Sequence, residues 1–287
     1  MPHLIEIVGL PFLACIMMGS ILGYLGIHVL KREVIFVDIA LAQVAAVGAI
    51  VSHLVFETTD NSTLSYICSL AAVFCVGAFY TITRTSIIQI SLEAIIGISY
   101  AIAAAAALFL VGVAPGGHMH IQQMLSGNLL WTSWQDVISG LVVFSMAGFC
   151  IYLIRKPLIN ISNNYQQTFT NGHEVIFWDF IFYLLLGVVI TLSVQIGGVV
   201  IVFAYLIIPA TISAIFSSSL GVQLMVIWIA SIVASLLGLL FAYYYDFSIG
   251  PAIALLLGIE LLISALISRL IRISSIKTRN TNRLLNS

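Results

Sequence analysis

The chain has 287 residues, 61% of them hydrophobic and 7% charged, with a formal net charge of −1 and a mean hydropathy of +1.16. That composition leaves no room for a sizeable soluble domain, and it offers no basic stripe to hold a nucleic-acid backbone. The ten Lys and Arg residues fall in four places: Lys31 with Arg32, Arg84, Arg155 with Lys156, and a cluster from Arg269 to Arg283. Cytoplasmic loops retain Lys and Arg, so all four clusters belong on one side with apolar helices crossing between them.

The opening Met-Pro-His-Leu-Ile-Glu lacks the basic start of a signal peptide, which predicts that the first apolar run is a retained helix. Runs long enough to cross about 30 Å of hydrocarbon lie near 8–30, 34–56, 66–83, 94–113, 137–154, 222–245 and 250–271. The tract 177–216 is continuous and apolar. As one helix it would be roughly 60 Å long, about twice the membrane thickness. It must therefore break, and Gly197-Gly198 and Pro209 are the places offered. The prediction is an all-α, polytopic membrane protein with eight or nine transmembrane helices, one of them broken. A single membrane domain covers 1–271, followed by a basic cytoplasmic tail at 272–287. Alternation places 57–65 and the His-bearing stretch 114–135 outside, together with the N-terminal end. No tandem repeat supports an inverted-repeat secondary transporter. The four cysteines (Cys15, Cys68, Cys75 and Cys150) sit in apolar runs and read as small core residues.

The stretch 155–176 differs from every other connection in being polar, with Asn160, Asn163, Asn164, Gln166, Gln167 and Asn171. It reads either as a long solvated loop or as a docking element for a cytoplasmic partner, with a short helix ending at Gly172.

Three motifs, in order, carry a resemblance. The first runs from Lys31-Arg32-Glu33 through Asp38-Ile39-Ala40-Leu41-Ala42-Gln43 to Gly48; the second is 155–172 followed by Phe177-Trp178-Asp179. The third is Gly197-Gly198-Val199-Val200-Ile201-Val202, continuing to Leu206-Ile207-Ile208-Pro209-Ala210. Smaller echoes are Gly127-Asn128-Leu129-Leu130-Trp131 and Gly250-Pro251-Ala252. Together, over about residues 10–270, they resemble the ABC-3 family of permeases for zinc, manganese and iron. The resemblance implies a type II ABC importer-like permease in the bacterial inner membrane. It also implies a homodimer, separate ATPase subunits below it, and a periplasmic or lipoprotein metal-binding protein above. The cargo would be a divalent metal, zinc first and then manganese or iron. No covalently bound cofactor is implied. ATP would be bound by the partner, since these residues contain no Gly-x-x-x-x-Gly-Lys-[Ser/Thr] run. On this resemblance Asn160, Asn163, Asn164, Gln166, Gln167 and Gly172 belong to the segment that couples to the ATPase. The rival reading is a self-contained ion-driven metal transporter or channel. An intramembrane enzyme would need a His-Glu-x-x-His, a paired Asp or a Ser–His arrangement, and the reading is of a transport subunit.

Intramembrane ionisable residues are functional candidates by default. The family pairs an aspartate with a histidine four residues later. Here Asp38 and Gln43 are five apart, roughly 140° around a helix, so they do not face one point. Gln43 offers only a neutral oxygen, a poorer ligand for zinc than for manganese. Asp38 either lines the path or pairs with Lys31 or Arg32. His53 and Glu57 share a face near the outer end of the second helix and read as a gate or as a helix-end polar cluster. His118 and His120 sit in an outer stretch where two imidazoles could receive a transition metal, or simply be solvated. Glu260 lies mid-run in the last helix and reads as a pathway residue or as a partner of Ser264. His28 and His173 read as interfacial.

Overall fold

A computed structural model describes residues 2–56, 63–86, 90–113, 127, 129–163 and 172–285. Among these it contains ten α-helices: α1 (Pro2–Lys31), α2 (Val37–Phe56), α3 (Thr63–Ser86), α4 (Leu92–Val113), α5 (Trp134–Leu153), α6 (Arg155–Asn163), α7 (Gly172–Gly197), α8 (Val199–Phe216), α9 (Leu220–Tyr245) and α10 (Ile249–Leu285). A single 3₁₀ turn at Leu129–Trp131 precedes α5. Nine of the described helices are long and apolar enough to span, and only α6 is not. Large apolar side chains such as Phe109, Met146, Phe149 and Leu266 point outward, as lipid rather than water requires.

The helices form two groups. In one, α8 lies between α1, α9 and α10; in the other, α2 packs on α3 and α4 while α7 packs on α3. Helix α5 joins them by touching both α1 and α7. The start of α5 is set locally by a capping box. Ser133 Oγ accepts from Asp136 N at 3.3 Å, and Asp136 Oδ2 accepts from Ser133 N at 2.9 Å.

The long apolar tract breaks at Gly198, whose φ of 82° and ψ of 164° are accessible essentially to glycine alone. Pro209 stays inside α8, buried, where it removes one helical donor without ending the helix. Gly197 packs against Met18, mid-way along α1, and Gly26 lies against Leu206 and Ala210 of α8. Helices α1 and α8 therefore run side by side in the same direction, and from the level of Met18 to Lys31 α1 descends about 20 Å. Gly127 (φ 70°) lies against the same break. A Cβ on Gly127 would overlap the backbone of Gly197 and Gly198. The irregular backbone at this bend is packed against Met18 and Gly127.

Candidate functional site

The three basic clusters within the described helix ends lie at one face, as the charge pattern requires, but two of the cations are not solvated. Arg32 and Arg84 are buried, with relative exposures of 1% and 6%. Both meet Asp179 of α7, itself 1% exposed: Arg32 Nη1 lies 2.6 Å from Oδ1, and Arg84 Nη1 donates to Oδ2. The Arg32 guanidinium also sits 4.0 Å over the ring of Phe182, one turn further along α7.

From Arg32 the contacts continue outward to α6. Arg32 Nε donates to Ser162 Oγ at 3.2 Å, and Ser162 Oγ also bonds His28 Nδ1 at 3.0 Å. One residue later, Lys31 Nζ donates to Asn163 Oδ1 at 2.8 Å. Leu158, Ile161 and Ser162 are the buried stripe of α6, spaced three and four apart, while Arg155, Lys156, Asn160 and Asn163 face outward. The short helix therefore ends at Asn163, not at Gly172 as the sequence suggested. Gly172 instead opens α7. Asn164, Gln166 and Gln167 lie outside the described residues. His28 is fully buried rather than interfacial, and its Nε2 has no hydrogen-bond partner.

The remaining candidates that are described, Asp38, Gln43, His53 and Glu260, lie on α2 and α10. Asp38 and Gln43 are both buried in α2, at 1% and 8% exposure. Asp38 Oδ1 accepts from the N–H of Ile39 at 2.7 Å, a first-turn arrangement that satisfies the carboxylate locally. Lys31 and Arg32, its alternative partners from sequence, are engaged with Asn163 and Asp179. His53 is half-buried towards the other end of α2; Glu57, His118 and His120 lie outside the described residues. Among the described residues no three His, Cys, Asp or Glu side chains gather as a metal site. Cys15 is buried in the core, whereas Cys75 and Cys150 are exposed on apolar helix faces, a departure from the core role read from sequence.

Glu260 behaves differently. It is half-buried in α10, and both carboxylate oxygens are enclosed without a hydrogen-bond partner, so the Ser264 pairing expected from sequence is absent. It faces α8, near a buried polar group in which Tyr205 Oη bonds Ser235 Oγ at 2.6 Å and Cys15 bonds Tyr205. Ser235 Oγ in turn donates to the carbonyl of Ser231. Asp38 and Gln43 thus share α2 while Glu260 stands on α10, and the described acids, histidines and cysteines form no three-ligand group.

Sequence reading passed over the cluster of Asp179, Arg32, Arg84 and Ser162. The available signal was Asp179 itself, an acid at the start of an otherwise uncharged apolar tract whose neighbours in space end in arginines.

Comparison with known proteins agrees with this architecture. Relatives include a probable metal transport system membrane protein of Chlamydia trachomatis, 26% identical over 179 residues, covering 62% of this chain and 60% of that protein. The manganese import system permease protein ScaB of Streptococcus parasanguinis is 24% identical over 259 residues, with 89% of each chain covered. A Halalkalibacterium halodurans protein named as a manganese transport system membrane protein is 24% identical and covers 84% of this chain. The chain thus aligns with about three fifths of the chlamydial relative and nearly all of the streptococcal one. In fold it resembles a chain of the solved structure of PsaBC from Streptococcus pneumoniae in complex with Fab, with a TM-score of 0.75 at 22% identity over 91% of both chains. It also resembles an inward-facing metal-chelate type ABC transporter, with a TM-score of 0.67 at 17% identity over 93% of this chain and 87% of that one. The model of the ABC 3 transport family matches residues 5–268, and with nearly the whole chain so covered this multi-pass membrane protein belongs to the ABC 3 transport family.

Proposed function

We propose that this chain is the membrane permease subunit of an ATP-driven importer of a divalent transition metal, working as a homodimer beneath a metal-binding protein. The observation that carries the reading is the family match across residues 5–268, joined to α6, the one non-spanning helix among the described residues, which presents polar residues at the face that carries the basic clusters. Docking of an ATPase on Asn160 and Asn163 of α6, and on Asn164, Gln166, Gln167 and Gly172 beyond it, would deliver the force that alternates access. The permease domain is residues 1–271, with 272–287 as a basic appendage.

Manganese leads among the cargoes, with iron next. Named relatives carry these metals, and a neutral Gln43 oxygen suits manganese better than it suits zinc. Zinc, favoured by the outer histidines His118 and His120, is the competing arm of the test. Asp38, Gln43, His53, Glu57 and Glu260 are the further pathway candidates.

The test is uptake of Mn²⁺, Fe²⁺ and Zn²⁺ into proteoliposomes holding the permease with or without a cognate ABC ATPase. ATP-dependent uptake only when both subunits are present is expected. Uptake by the permease alone would establish the ion-driven transporter or channel in its place.

A further inference from the structure

We propose that Ser162 and the Asp179 carboxylate form a joint that passes movement of α6 into both helix groups of the permease. The inference rests on the reading of α6 as the ATPase-docking helix. Its basis is the sequence of contacts at the inner face. Ser162, on the buried side of α6, holds Arg32 Nε at 3.2 Å and His28 Nδ1 at 3.0 Å, both on α1. Arg32 Nη1 then meets Asp179 Oδ1 at 2.6 Å on α7, and Asp179 Oδ2 receives Arg84 from α3. Helix α1 belongs to one group, and α3 and α7 to the other, so this one carboxylate ties together the inner ends of both.

Three physical features suit the cluster to transmission rather than to binding cargo. First, two guanidinium groups on one carboxylate repel a divalent cation, which separates this buried acid from the metal candidates. Second, the guanidinium is a rigid fork. Fixing Nε on Ser162 sets the direction in which Nη1 meets Asp179, so a shift of α6 re-aims the ion pair instead of merely stretching it. Third, each carboxylate oxygen serves a different arginine in a buried site, where intermediate positions leave charge poorly matched. Such packing favours discrete alternative arrangements over a continuous slide. Ser162 is accordingly a positioning residue: it touches neither ATP nor cargo, and acts through Arg32.

The test uses the full permease–ATPase complex in liposomes, with Mn²⁺ uptake and phosphate release followed in the same vesicles. Ser162→Ala should leave the complex assembled on size exclusion but lower Mn²⁺ moved per ATP by about threefold to tenfold, the scale of one lost hydrogen bond. Ser162→Thr, which keeps the hydroxyl, should restore the ratio. Arg32→Lys cannot hold Ser162 and Asp179 together, so it should also uncouple. Combined with Ser162→Ala it should be no worse than the poorer single variant. An unchanged ratio in Ser162→Ala, no rescue by Thr, or additive losses in the double variant would each overturn the joint. Should Ser162→Ala not fold, the ratio in Arg32→Lys decides alone, and a wild-type value there overturns it. Failure of the wild-type permease and ATPase to assemble would instead overturn the proposed function, and the joint with it.

Discussion

Replacing Asp179 should destabilise the protein more than replacing either arginine that meets it. Asp179→Ala breaks two buried ion pairs at once, whereas Arg84→Met breaks one and leaves Arg32 on Asp179 at 2.6 Å. Breaking a buried pair costs about 3–5 kcal/mol. Without the carboxylate, the two guanidiniums also repel by about 3 kcal/mol, for a separation of about 6 Å and an effective dielectric of about 20. Asp179→Ala should therefore cost about two to three times as much as Arg84→Met, an amount comparable to the whole stability of a typical domain. The assay is membrane yield with the thermal midpoint in detergent, read by fluorescence-detected size exclusion at a fixed heating rate. A sharper arm is the double variant. Arg84→Met added to Asp179→Ala removes one of the repelling cations, so the double variant should be more stable than Asp179→Ala alone. The reasoning is refuted if Asp179→Ala is no worse than Arg84→Met, or if the second substitution makes it worse.

Gly127→Ala should lower the thermal midpoint sharply. The added Cβ overlaps the backbone at Gly197 and Gly198 and the φ of 70° adds strain, together costing about 2 kcal/mol or more; Gly112→Ala, with open space around it, is the control that should change nothing. Tyr205→Phe should cost about 1 kcal/mol, since Ser235 keeps its bond to the Ser231 carbonyl; a midpoint equal to wild type would remove the Tyr205–Ser235 bond from the account. In a cysteine-free background, Asn160→Cys should react with an impermeant maleimide only from the inner side and Leu130→Cys only from the outer; the reverse pattern would invert the topology. Single replacements Asp38→Ala, His53→Ala and Glu260→Ala should each lower cellular manganese accumulation if they line the path, and normal accumulation in all three would clear them from it.

Much of this fold was legible because a spanning helix is written locally. Each apolar run is long enough to be recognised alone, and the arginines and lysines at the run ends set the sidedness. Gly197-Gly198 was legible for the same reason, as a glycine pair inside a tract too long for one crossing. Contacts between distant segments were not. Asp179 lies 147 residues from Arg32 and 95 from Arg84, and nothing in the intervening sequence records that they meet. Hence Arg32 and Arg84 read as markers of one membrane side, although they are buried on one carboxylate. Gly127 likewise gave no hint that the Gly197 backbone lies against it. Pro209 misled in the other direction, since a proline in a buried membrane helix can be absorbed without a break. The pathway candidates were only partly legible: Asp38, Gln43 and Glu260 stood out as polar residues in apolar text, but periodicity along one helix cannot say whether they converge with residues of another.

The turn at Gly198 has a consequence for how the protein is made. Residues 175–216 leave the ribosome as one greasy tract, and its bend comes to rest against Met18. The surfaces that receive it, Met18 and Gly127, have already been synthesised by then, while α9 and α10, which complete the enclosure of α8, have not. Biogenesis therefore passes through a stage in which the bend is seated but α8 is uncovered along one side. A membrane chaperone or quality-control protease would find its opportunity at that stage, before residue 249 has entered the membrane.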